Sequence, residues 1–181
     1  MPRANPRETG PEGRVLAWDV AVRLLHWSLA GTVLFDLYVD DGGWLHRTVG
    51  YAAVAVVVAR LLWALLAGGA AGLAALKPSL RETVSYLRRG APRAVGHDPL
   101  GRWMVWLLWL LVLLLGVTGW MSRLDAFWGD EGIREVHEWF AHALLIAVLV
   151  HVSGVVAMSW RWRENLIAAM LSGRKRPPER D

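Results

Sequence analysis

Cysteine does not occur once in the 181 residues. Its absence excludes a C-x-x-C-H attachment and any Cys-ligated iron–sulfur cluster, so no cofactor is held here through a thioether or a thiolate. An H-E-x-x-H zinc motif is also lacking, although "HEWFAH" comes close by eye. No nucleophile, general base or phosphate loop is apparent.

What is present is apolar. Hydrophobic residues make up 55% of the chain and include 12 Trp, a composition that places it among membrane proteins, and its length allows one domain. Four stretches match the roughly 20 helical residues needed to cross about 30 Å of hydrocarbon: 20–38, 48–66, 103–121 and 139–160. The third, "WMVWLLWLLVLLLGVTGWM", is the clearest. Arg23, His26 and Asp36 interrupt the first. A long charged leader precedes that first stretch and no small-residue cleavage site follows it, so it is expected to be a retained span rather than a signal peptide. The expectation is an all-α integral membrane protein, a four-transmembrane-helix bundle over 20–160, flanked by an N-terminal segment (1–19) and a C-terminal tail (161–181).

Charge gives the bundle a direction. With the N-terminus inside, the inner segments 2–23, 77–102 and 161–181 hold 16 Lys/Arg against 8 Asp/Glu, and the outer loops hold 3 against 7. Basic residues collect on the cytoplasmic side, so both termini are expected there. The high pI thereby reports topology in a membrane, in contact with lipid, and implies no nucleic-acid partner.

Between the second and third spans, Pro78, the Ser79/Glu82 capping box and Gly90 delimit a short amphipathic helix at about 79–89, expected on the inner surface. The end, "GRKRPPERD", reads as a polar, mobile tail.

The stretch 136–156, which enters the fourth span, carries three histidines, each costly in such a segment. His137 and His151 are 14 residues apart, about 40° short of four turns, so both rings leave one face about 21 Å apart along the axis. His142 points about 140° from His137 and cannot serve that face. Two imidazoles binding one haem iron must lie on opposite sides of the macrocycle, so partners come from other helices. His46 opens span two at the level of His137, and His26 lies in span one near the depth of His151. Two levels result, each with a pair of histidines fit to ligate iron.

Other residues fit more than one role. Gly50, Gly116, Gly119 and Gly154 give a flat cofactor room, or permit close helix packing. Arg60 follows His46 by 14 residues, hence on the same face at the inner level; it either pairs with a haem propionate or snorkels to the headgroups. Arg23, one turn before His26, has the same options. Asp36 either binds a donor near the outer haem or faces loop water.

The ordered set "WDVAVRLLHW", "LHRTVGY", "RLLW", "GHDPLGRWM", "VHEWFAHALL", "LVHVSGV" and "RENLIAAMLSGRK" resembles the bacterial cytochrome b561 group and the b-type cytochrome subunit of nickel-iron hydrogenases, over about 15–175. The compact four spans bring it nearer the free-standing type. The resemblance implies a di-haem electron carrier of the inner membrane linked to quinone, with ligand positions matching His26, His46, His137 and His151. It also implies a role for His97, in "GHDPLG", against a propionate or a quinone, or else in organising the turn into span three. Relatives often have Asn at the position of His142, which reads as an added polar packing group.

The resulting expectation is transmembrane electron transfer through two non-covalent b haems, between the quinone pool and a redox partner such as a periplasmic cytochrome c, a dehydrogenase or a hydrogenase. Alternatives are a haem-containing membrane anchor for a soluble oxidoreductase and a superoxide:quinone oxidoreductase. The outer loops' net −4 disfavours an anion and suits a basic partner, while Arg47, Arg123 and Arg134 offer a local positive patch that acts the other way.

Overall fold

In lipid an apolar segment must satisfy its backbone hydrogen bonds internally, which a helix does. The computed structural model describes residues 13–39 and 41–177 and contains four such helices: α1 (Val20–Tyr38), α2 (Trp44–Leu66), α4 (Pro99–Met121) and α5 (Glu131–Arg161). Two shorter helices, α3 (Leu80–Arg88) and α6 (Leu166–Ser172), and a pairing of β1 (Val15–Leu16) with β2 (Arg174–Lys175) complete the architecture.

The helix starts show what hydropathy alone misses. α1 coincides with the expected run. α4 begins at Pro99 rather than 103: the Asp98 carboxylate accepts the Gly101 N–H at 2.7 Å, and proline fits a first helical position whose N–H has no partner to lose. α5 begins eight residues before the expected run at 139, its polar first turns drawn together by Arg134, which pairs with Glu131 and Glu138. At 31 residues it is about 46 Å long and exceeds the hydrocarbon thickness. α3 forms within the expected window, its Ser79 hydroxyl accepting the Glu82 N–H, with Gly90 at φ +75° just beyond its end.

The chain folds as two compact units. One comprises Met1–Arg23, Trp63–Trp103 and Val152–Asp181. In it Ala17, Trp18, Val22 and Ala71 form a buried cluster packed by Ala67, Val95 and Met170. Part of the tail departs from the mobile reading: β2 pairs antiparallel with β1, Val15 opposite Lys175. Lys175 is buried, its ammonium 5.7 Å from the Trp18 ring and 5.9 Å from the Trp162 ring. Cation–π attraction and the burial of its four-carbon stem explain why so polar a stretch is held. Residues 1–12 and 178–181, which complete the terminal segments, lie outside the described residues.

The other unit comprises Leu24–Leu62 and Met104–His151. Val33, Ala53, Val57, Leu111, Val112, Leu144 and Ala147 are buried, while Leu34, Leu62, Leu110, Ile146 and Leu149 are each more than half exposed. Large side chains turned outward along the whole length of helices suit a lipid surface and not water. A Cβ added at Gly116 would collide with the Val54 side chain, so this glycine serves close packing of α4 on α2 rather than room for a cofactor.

Candidate functional site

The second unit gathers four histidines from three helices: His26 on α1, His46 on α2, and His137 and His151 on α5. The His46 and His137 ring centres are 6.2 Å apart, and those of His26 and His151 are 6.4 Å apart. His142, on the other face of α5, is exposed, which corrects its reading as a packing group: its ring sits on the outer surface of the helix.

Neighbouring polar groups orient two of the rings. His46 Nδ1 lies 2.7 Å from the Val39 carbonyl oxygen and 3.2 Å from the Asp36 carboxylate. The Val39 carbonyl can only accept, so Nδ1 carries a proton, and in the neutral ring Nε2 keeps its lone pair. His137 Nδ1 lies 2.8 Å from the Thr118 hydroxyl. A Cβ at Gly119 would come within 3.3 Å of the His137 ring, so this glycine lets the ring lie close to α4. A Cβ at Gly50 would come within 3.1 Å of the Asp36 carboxylate, so this glycine makes room for Asp36. His26 Nδ1 is shielded and has no hydrogen-bond partner among the described residues.

Arg60 is 6% exposed, its guanidinium 5.6 Å from the centre of the Trp109 ring. It therefore stays within the protein rather than snorkelling. Arg23 and His97 belong to the first unit. The Arg23 side chain lies against Gly173, and its Nε is shielded without a hydrogen-bond partner among the described residues. The His97 ring is 4.5 Å from that of Trp18.

These residues fit a haem iron. Two metal–nitrogen bonds of about 2 Å and the reach from each ring nitrogen to its ring centre set two axial imidazoles about 6 Å apart, as both pairs are. Among the described residues no group of three or more His, Asp or Glu is placed to hold a metal, so each pair offers only two donors. An ion that takes two protein donors must bring its other ligands, as a porphyrin iron does.

A family model, prokaryotic cytochrome b561, matches residues 17–173. The chain belongs to this family. No curated protein matches it. Membership and the four apolar helices make it a multi-pass membrane protein of prokaryotic electron transport that uses b-type haem.

Sequence reasoning passed over three groups at the site: Thr118, the Val39 carbonyl and Trp109. Thr118 had a signal, as a lone hydroxyl in an apolar run, and a polar residue within a span is a functional candidate by default. The other two had none, because a backbone carbonyl and one tryptophan among 12 are distinguished only by where the helices set them.

Proposed function

We propose that the protein passes electrons across the inner membrane through two bis-histidine b haems, one held by His46 and His137 and the other by His26 and His151, between the quinone pool and a redox partner. The paired ring spacing of 6.2 and 6.4 Å carries this reading. When bound, each haem supplies a one-electron carrier whose potential follows its axial ligands and surroundings. The chain's own residues do the rest. His46 and His137 present Nε2, with the Val39 carbonyl and the Thr118 hydroxyl holding their other nitrogens. Arg60 brings positive charge to balance a propionate, and the apolar helices exclude water.

The basic segments support cytoplasmic termini, which puts the His46–His137 pair toward the periplasm and the His26–His151 pair in the inner half. The loop side near His137 then favours a basic soluble partner such as a cytochrome c over superoxide. Arg134, one of the cations able to attract an anion, is engaged by both Glu131 and Glu138.

A haem count and a reduced-minus-oxidised spectrum of the purified full-length protein test the proposal. Two b haems per chain, both reduced by a quinol, are expected. One haem or none after expression with ample haem overturns the pairing. Haem that exchanges slowly with quinone yet is required for binding a soluble oxidoreductase favours an anchor.

A further inference from the structure

Just beyond the last membrane-spanning helix the chain makes a tight turn that gathers positive charge. α5 ends at Arg161, and Arg163 follows at φ +50°, the left-handed region that glycine adopts without strain. The turn is pinned by Glu164 N–H to the Ser159 carbonyl and by Leu166 N–H to the Ser159 hydroxyl. Asn165 then caps α6, its side chain accepting the Ala168 N–H at 2.8 Å.

A cavity of about 230 Å³ opens against this turn. Arg14, Arg163, Arg174, Lys175 and Arg176 line it, with Glu164 as its one acidic lining residue. That carboxylate is engaged elsewhere: Arg93, which is not part of the lining, donates to its two oxygens at 2.9 and 3.0 Å. Two of the five are also engaged: Arg176 shares the Glu164 carboxylate at 3.8 Å and donates to the Trp162 carbonyl, and the Lys175 ammonium donates to the Ala94 carbonyl at 3.3 Å. Arg163 and Arg174 are exposed at the turn, and the excess of positive over negative charge around one shared carboxylate favours an anion there. Arginine forks match the geometry of phosphate oxygens. Depth points the same way. Trp160, in the last turn of α5, is 86% exposed, and tryptophan turned outward at a helix end marks the headgroup level of a membrane. The cavity begins three residues later.

We propose that this cavity is a binding site for a phosphoryl anion, filled in the membrane by the headgroup of an acidic phospholipid. The site is independent of the haem reading and needs only that the helices span a bilayer. A strained Arg163 where glycine would be relaxed accords with a residue kept for its charge.

The test is native mass spectrometry of the full-length protein in mild detergent, incubated with phosphatidylglycerol, cardiolipin or phosphatidylcholine, each with and without millimolar inorganic phosphate. The double variant Arg163→Gly, Arg174→Gln keeps the turn, since glycine suits the left-handed position, and removes two exposed cations. Retention of acidic lipid over phosphatidylcholine is expected in the parent and should fall about thirtyfold in the variant, a factor of about five for each cation. Arg174→Gln alone, should the double variant fail to fold, should lose about fivefold. Displacement of the lipid by inorganic phosphate in the parent only would support the phosphoryl site with the free ion as occupant. Equal retention of acidic and zwitterionic lipid by the parent, or an undiminished preference in a folded variant, overturns it.

Discussion

The Thr118 hydroxyl oxygen lies 2.8 Å from His137 Nδ1 and 2.9 Å from the Leu114 carbonyl oxygen one turn earlier in α4. With its one proton given to the Leu114 carbonyl, the hydroxyl oxygen accepts from His137 Nδ1–H. In that tautomer Nε2 keeps its lone pair, as the proposed iron ligation requires. Groups of this kind make a ligand more basic, and their loss typically costs 10–100-fold in metal affinity.

Thr118→Val should therefore weaken retention of the His46–His137 haem by roughly tenfold or more and raise its potential, because a less basic imidazole stabilises the ferric state less. Thr118→Ser should restore both. Redox titration with a haem-binding assay reads the outcome. If the valine and serine variants behave alike, the hydroxyl is not what orients the ring.

The facing of α5 gives a second prediction. His137→Ala should abolish one haem signal and cut electron exchange with a donor on that side, whereas His26→Ala should remove the other signal and leave the first exchange largely intact. His142→Ala is the control, because its ring is exposed on a different face. Loss of a haem in His142→Ala with two haems kept in His137→Ala would require reassigning the ligand.

Arg60 is buried, its guanidinium 5.6 Å from the centre of the Trp109 ring, in the same unit as the four histidines. A positive charge beside a haem stabilises its reduced form. Arg60→Ala should lower one haem potential by about 60 mV or more, equivalent to a tenfold change for one electron, or reduce occupancy of that haem. Arg60→Lys should keep most of the charge effect. A variant that titrates as the parent does, with both haems retained, would remove Arg60 from the site.

How far the sequence carries depends on the kind of interaction. The four helices were legible because lipid imposes one rule along a whole segment, and the histidine pairs because a spacing of 14 residues fixes both face and height on a helix. Arg60 could be set at a level but not assigned an outcome, since propionate pairing and snorkelling differ only in the rotamer and its surroundings. Gly116 and Gly50 were ambiguous for a related reason: what a missing side chain admits depends on the neighbour, Val54 in one case and Asp36 in the other. The early start of α5 was hidden because Glu131, Arg134 and Glu138 read as a loop by polarity, although they pair along a helix. Lys175 was misread most fully. A lysine in a charged tail gives no hint that Trp18, from the other end of the chain, encloses it together with Trp162.

The Arg93–Glu164 pair supplies a prediction outside the membrane. Arg93 donates to both Glu164 oxygens and also to the carbonyls of Arg176 and Pro177, joining the residue 91–97 loop to the tail. Burial alone would raise the Glu164 carboxyl, but hydrogen bonds from Arg93 and the Arg176 N–H, with the charges of Arg93 and Lys175, outweigh it and hold the group below the usual carboxylate range. A depressed folded-state value means the unfolded chain takes up the proton first. The stabilisation is therefore complete above the ordinary Glu value of about 4.3 and is lost as pH falls from there through the folded-state value. Both side chains are about nine-tenths buried, so Arg93→Ala should cost about 2 kcal/mol through loss of two charge-assisted hydrogen bonds, the carboxylate keeping the Arg176 N–H and the neighbouring cations. Glu164→Gln should lower the melting temperature at neutral pH and flatten its fall below about pH 4.3, followed by tryptophan fluorescence. Parallel acid profiles for Glu164→Gln and the parent would show that another carboxylate governs the acid response.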